Sequence, residues 1–298
     1  MITFHDILFG VLIPAAISLL LVLIATRPWS AGSPRGHWAG PLAIGLTFPI
    51  GLLGLQSRPT LPPASAEDWL FHIGWMVAIV GLLTAIIRLP LVIRAIVTAL
   101  VSAAAVYLAL KPLTIGSTFT PATWSTKEAA MYIGAIALAM TVVFTLFEIG
   151  SERWKDAVVP LLMTETAAAL GLYMMFNGSQ TYGQRAGILA AAVGPVMLIA
   201  FIWKRLSLAR GGVLAFVVLF GGLLATCYAY PDKVVLYRLL LIAAAPIVGL
   251  IPAITPLKGW KRYVACALLA AIPLGLAVVP AGMEFAHDFS APKDGYSY

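Results

Sequence analysis

Apolar stretches of about 20 residues recur along this chain from Ile7 to Pro280, separated by short polar turns. A helix of that length is about 30 Å long, the thickness of a bilayer's hydrocarbon core. Lipid offers no partner to backbone amides and carbonyls, so stretches like these cross a membrane as helices. The composition leaves little room for anything else, because 61% of the 298 residues are apolar and only 10% are charged. The expected fold is therefore all-α: a polytopic transmembrane helix bundle of about ten spans. Residues 1–298 form one transmembrane domain.

The spans read as 7–26, 40–55, 69–87, 91–110, 129–147, 157–175, 186–203, 212–230, 234–252 and 263–280. Lys and Arg sort unevenly between alternate turns. Arg27, Arg35, Arg88, Arg94, Arg153, Lys155, Lys204, Arg205, Arg210, Lys258, Lys261 and Arg262 share one side, which makes 12. Arg58, Lys111, Lys127, Arg185, Lys233 and Lys293 make 6 on the other, with Arg238 inside a span. This bias assigns the first group to the cytoplasm and puts both termini on the outer side, in a protein expected in a bacterial inner (cell) membrane. The formal charge of +7 thus reports orientation, and nucleic acid is not an expected partner. MITFHD has no basic n-region, and no small-residue cleavage site follows the first apolar run, which argues against a signal peptide. Cys227 and Cys266 fall near opposite faces, too far apart for a disulfide.

Two span starts fit the capping box, Ser65 with Asp68 and Ser125 with Glu128, which gives those acids a structural role. The longest turns, 56–68 and 111–128, are rich in Pro, Ser and Thr and face outward. Pro14 and Pro160 are separated by the same interval as Pro49 and Pro195, a weak hint of inverted five-span halves, 1–150 and 151–298. Pro49, Pro195, Pro246, Pro252 and Pro273 should kink their helices, with span nine the most irregular.

The residue that stands out is Glu165, about 12 Å inside the cytoplasmic boundary at the helical rise per residue. A charge at such depth costs roughly 2.5–3.5 kcal/mol on insertion scales, a cost usually tied to a partner, a wet path or a proton relay. Thr164 flanks it, and Thr141 and Thr145 stand one turn apart on the preceding span at similar depth. Either these residues form an intramembrane coupling site, or Glu165 is hydrogen-bonded packing glue. Arg238 lies about 6 Å inside the outer boundary, where it would snorkel to headgroups or reach across to Glu165. His5, His72 and His287 fall at the outer boundary beside Asp6, Glu67 with Asp68, and Glu284 with Asp288, while Met1, Met131, Met175 and Met283 share that level. Imidazoles with acids are ordinary metal ligands, yet no ligand spacing such as HxxxH is present. Interfacial anchoring is the plainer role for these histidines.

No phosphate loop, nucleophile elbow, HExxH, CxxC or dinucleotide fingerprint appears where it could work, so the reading is against an enzyme and no cofactor is named. The residues favour a small secondary transporter or channel-like protein built around Glu165. A structural or assembly subunit of a larger membrane complex is the alternative, and an outward-facing metal or redox site is a third. The bilayer is the expected partner in every case. Dense small residues permit a homo-oligomer or a membrane-complex partner besides.

Overall fold

The computed structural model describes residues 3–25, 37–55, 59–61, 63, 65–115, 124–154, 156–203, 206–231 and 233–290. Arg27, Arg35, Arg58, Lys155, Lys204, Arg205, Lys293, Met1 and parts of the turns 56–68 and 111–128 lie outside the described residues. Among the described residues every regular element is helical, there is no strand, and nine helices are long and apolar enough to cross a membrane. In chain order they are Phe4–Ala25, Ala66–Ile86, Leu91–Ile115, Thr126–Trp154, Val158–Phe176, Gln180–Ile202, Gly212–Ala229, Leu236–Ile254 and Trp260–Ser290. A shorter apolar segment, Ala39–Leu55, lies between the first two and is split into Ala39–Gly45 and Thr47–Leu55. These ten segments fall in order on the ten stretches read from sequence, nine of them of membrane-crossing length, and the ordinal numbers are kept below as labels.

Both expected capping boxes are present. Asp68 accepts from the Ser65 amide while Ser65 Oγ accepts from the Asp68 amide, and Ser125 with Glu128 repeats the exchange. Thr3 and Asp6 form a third at the start of span one. The proline expectation needs correction. Span nine is a continuous helix with Pro246 and Pro252 inside it, and Pro195 and Pro273 likewise sit within unbroken helices. Span two breaks beside Pro49 as expected, and a further interruption falls in span one. A π-helical turn, Leu8–Leu12, precedes Pro14, which cannot donate to the carbonyl of Gly10, and the wider turn absorbs that missing bond. Span two breaks at Leu46, next to the Gly45 carbonyl that Pro49 leaves without its helical donor.

Close packing explains why that break is tolerated. A Cβ on Gly45 would stand 2.8 Å from Ala78 Cα, and one on Gly74 would stand 2.7 Å from Pro49 Cδ, so spans two and three cross with their backbones nearly touching. Span eight is the most deeply enclosed, with neighbours in spans two, three, four, five and seven. Span six packs on spans seven, nine and ten, and span one on spans two and seven. Ser18 Oγ donates to the Ala192 carbonyl at 2.6 Å, a fully buried bond between spans one and seven. Span five meets spans six and nine only along its edges.

Candidate functional site

Glu165 is half-buried on span six, and its Oε2 is enclosed without a hydrogen-bond partner. The nearby hydroxyls are committed elsewhere, Thr164 donating to the Pro160 carbonyl at 2.8 Å and Thr166 to the Leu162 carbonyl at 2.6 Å. The Cys266 thiol of span ten lies within electrostatic reach. Thr141 and Thr145 also bond back to their own helix, to Ala137 and Thr141. They line a shallow cleft with Leu91, Val92 and Ala95 of span four, and Glu165 is not part of that lining.

Arg238 does not turn to Glu165. Its guanidinium grips Glu284 of span ten through two bonds, 2.9 and 2.5 Å, and its Nε donates to Tyr237. The histidines meet aromatic rings, His5 with Phe9 at 4.7 Å and His72 edge-on to Phe71 at 5.3 Å. The carboxylates near them have other work: Asp6 caps span one, Glu67 pairs with Arg185 and Glu284 with Arg238. Among the described residues no three His, Cys, Asp or Glu side chains form a group able to hold a metal. The side chain of Asp288 lies outside the described residues.

The most developed polar structure gathers Arg94 and Arg210, which the sequence places among the turn charges, around Glu148. Glu148 of span five is fully buried and Arg94 of span four is 4% exposed. Glu148 Oε1 accepts from Arg94 Nη1 and from the Arg210 amide at 2.6 Å, while Arg94 Nη2 donates to Glu152 at 2.8 Å. The segment 206–211 that feeds span eight is buried apart from the half-buried Arg210, and a buried turn must find partners for its backbone. Ser207 does much of this, its Oγ donating to the Ser151 carbonyl and accepting from the Ala209 amide. Arg210 holds φ +67° and Gly211 φ +139°, conformations that this tight entry imposes and that only glycine adopts without strain. A Cβ on Gly211 would collide with the Gly81 carbonyl. His37 lies beside the same turn, and burial, reinforced by the Arg210 charge, pushes its pKa below the usual value. On the same face Arg262 of span ten pairs with Asp156, whose other oxygen accepts from the Val158 amide at 3.0 Å.

The opposite face carries a second set. Arg185 of span seven is 1% exposed, pairs with Glu67 of span three at 2.6 Å and stacks 4.8 Å from the Tyr182 ring. Tyr230 donates to the Ala109 carbonyl, and the Val235 amide donates to Tyr173 Oη, tying span ends together. A sequence signal for these pairs existed. Arg94, Arg238 and Arg262 stand in the first turns of their helices and Arg185 in the second, where the macrodipole disfavours cations and a carboxylate from another segment offsets it. The chain matches no family model, no curated protein and no solved structure.

Proposed function

We propose that this integral membrane protein is a small secondary carrier in which Glu165 bears the coupling proton. The observation that carries the reading is the enclosed, unpartnered Oε2 of Glu165 beside threonines that bond their own helix. That oxygen makes no packing bond to the flanking threonines, whose hydroxyls are taken by their own helix. A carboxyl kept inside a membrane without such a bond is a group that can take up and release a proton on a transport path. The test is accessibility. With Cys227 and Cys266 replaced by Ala, a Cys at position 165 should react with membrane-impermeant maleimide from one side of the membrane, and Glu165→Gln should fold normally. If position 165 stays unlabelled from both sides while turn controls react, the carboxyl is inert packing and the reading fails.

A second reading is a subunit of a larger membrane assembly. Two lateral openings support it, a shallow cleft between spans four and five and a groove between spans five and nine, both lined almost entirely by carbon. It predicts a stoichiometric protein partner on purification in mild detergent.

A further inference from the structure

We infer that the groove between spans five and nine is a binding site for one acyl chain of a phospholipid. It encloses about 210 Å³, walled by span five from Tyr132 to Val143 and by span nine from Leu236 to Ala243, with span eight as its floor. The hydroxyls of Tyr132 and Tyr228, both near one end, are the only oxygen-bearing side-chain groups in its lining. Gly221 gives the floor its depth, because a side chain there would run into Met140.

Length selects the occupant. Eleven residues separate Tyr132 from Val143, about 16 Å of helix, which is half the hydrocarbon core. A transmembrane helix of a partner or of a second copy would need a groove of the full thickness, whereas a lipid tail needs the depth of one leaflet. The groove opens sideways, where spans five and nine touch only along their edges, so a tail enters from the bilayer without passing a headgroup through the protein. Charge at the mouth suits a phosphate. Lys127 stands just before Tyr132 on span five, Lys233 stands three residues ahead of Leu236, and both are exposed. Glu128, the neighbouring acid, is turned back to Ser125 by its capping box. Asp232 lies outside the described residues. The groove takes no part in the Glu165 site, so it stands or falls separately from the carrier reading.

Native mass spectrometry of the full chain, released from vesicles of equal dioleoyl-phosphatidylglycerol and dioleoyl-phosphatidylcholine, decides the matter. The unmodified protein should retain one phospholipid, with phosphatidylglycerol preferred. Ala139→Trp with Ala243→Trp fills the groove and should cut the lipid-bound fraction at least tenfold. Lys127→Ala with Lys233→Ala should keep the tail but abolish the headgroup preference. Leu172→Trp, on an exposed face of span six, should change nothing. If the double tryptophan variant fails to fold, Ala139→Leu alone should still lower retention several-fold. The inference is overturned if the unmodified protein flies without lipid, if filling the groove leaves retention unchanged, or if filling it breaks a dimer, which would make a second copy the occupant.

Discussion

Replacing Arg94 by Met should damage this protein far more than replacing its partner Glu148 by Gln, although the two share one ion pair. The difference follows from what each change leaves behind. Without Arg94, a fully buried carboxylate keeps only the Arg210 amide as donor, while its other oxygen already has none. Stranding a buried charge in this way costs about 3–5 kcal/mol, a hundredfold or more in the folding equilibrium. In Glu148→Gln, the amide oxygen still accepts from Arg210, and Arg94 keeps Glu152 at 2.8 Å, a carboxylate that solvent reaches. That loss should be about 1–2 kcal/mol, the scale of one buried hydrogen bond. The double variant should be more stable than Arg94→Met alone, because the second change removes the stranded charge. Unfolding in mixed micelles titrated with sodium dodecyl sulfate, followed by tryptophan fluorescence, gives all three values. The reasoning is refuted if Arg94→Met is no worse than Glu148→Gln, or if the double variant is the least stable of the three.

Gly211→Ala should cost about 2 kcal/mol or more, through its positive φ and the collision with the Gly81 carbonyl. Gly187→Ala, where a Cβ meets nothing within 4 Å, should be neutral in the same detergent titration. His37 has a folded pKa below its ordinary 6.5, so the unfolded chain binds the proton more readily and stability is lost as pH falls through 6.5 toward the folded value. A pH series of melts should show that acid-side loss in the parent protein and a flatter profile in His37→Gln. Cys227 and Cys266 are both fully buried, so a thiol reagent in mild detergent should modify neither until the bundle unfolds.

The spans were legible because the bilayer imposes a one-dimensional rule: every crossing segment must be apolar, helical and long enough. The capping boxes of Ser65 and Ser125 were legible for a similar reason, since both partners lie within four residues of each other. Partners across helices obey no such local rule. Arg94 and Arg185 read from sequence as turn charges, yet they are among the most deeply buried polar groups of the described residues. Nothing within one span states which neighbour will supply the counter-charge. The proline expectation holds at Pro49 and not at span nine, on the same ground. Pro246 and Pro252 stay in a continuous helix while Pro49 lies beside a break, and one difference on view is that Pro49 presses on Gly74 of span three. Span three thus shapes span two at a point that span two's own sequence does not reveal.

Taken together, the two faces and the interior are held by different forces, and this bears on what can move. Ion pairs tie span four to five and span ten to the turn before span six on one face, and span three to seven and span nine to ten on the other. Between the faces, the core is apolar, built of Phe, Leu, Val, Ile and Met side chains with glycines where helices approach most closely. Each ion pair has at least one solvent-reachable member except Arg94–Glu148, where both are enclosed and the backbone of Arg210 is held as well. Rearranging spans four and five against span eight would therefore expose or strand a charge, whereas moving span nine against span five would break few contacts and part the apolar groove between them. If the carrier reading is right, the mobile part is the group of spans six, nine and ten, which contains Glu165 and Cys266. The fixed part is the frame of spans two, three, four, five and eight around Arg94 and Glu148. Spin labels on Leu172 and Leu138 would then change separation between pH 5 and 8, while labels on Leu138 and Leu83 would hold theirs.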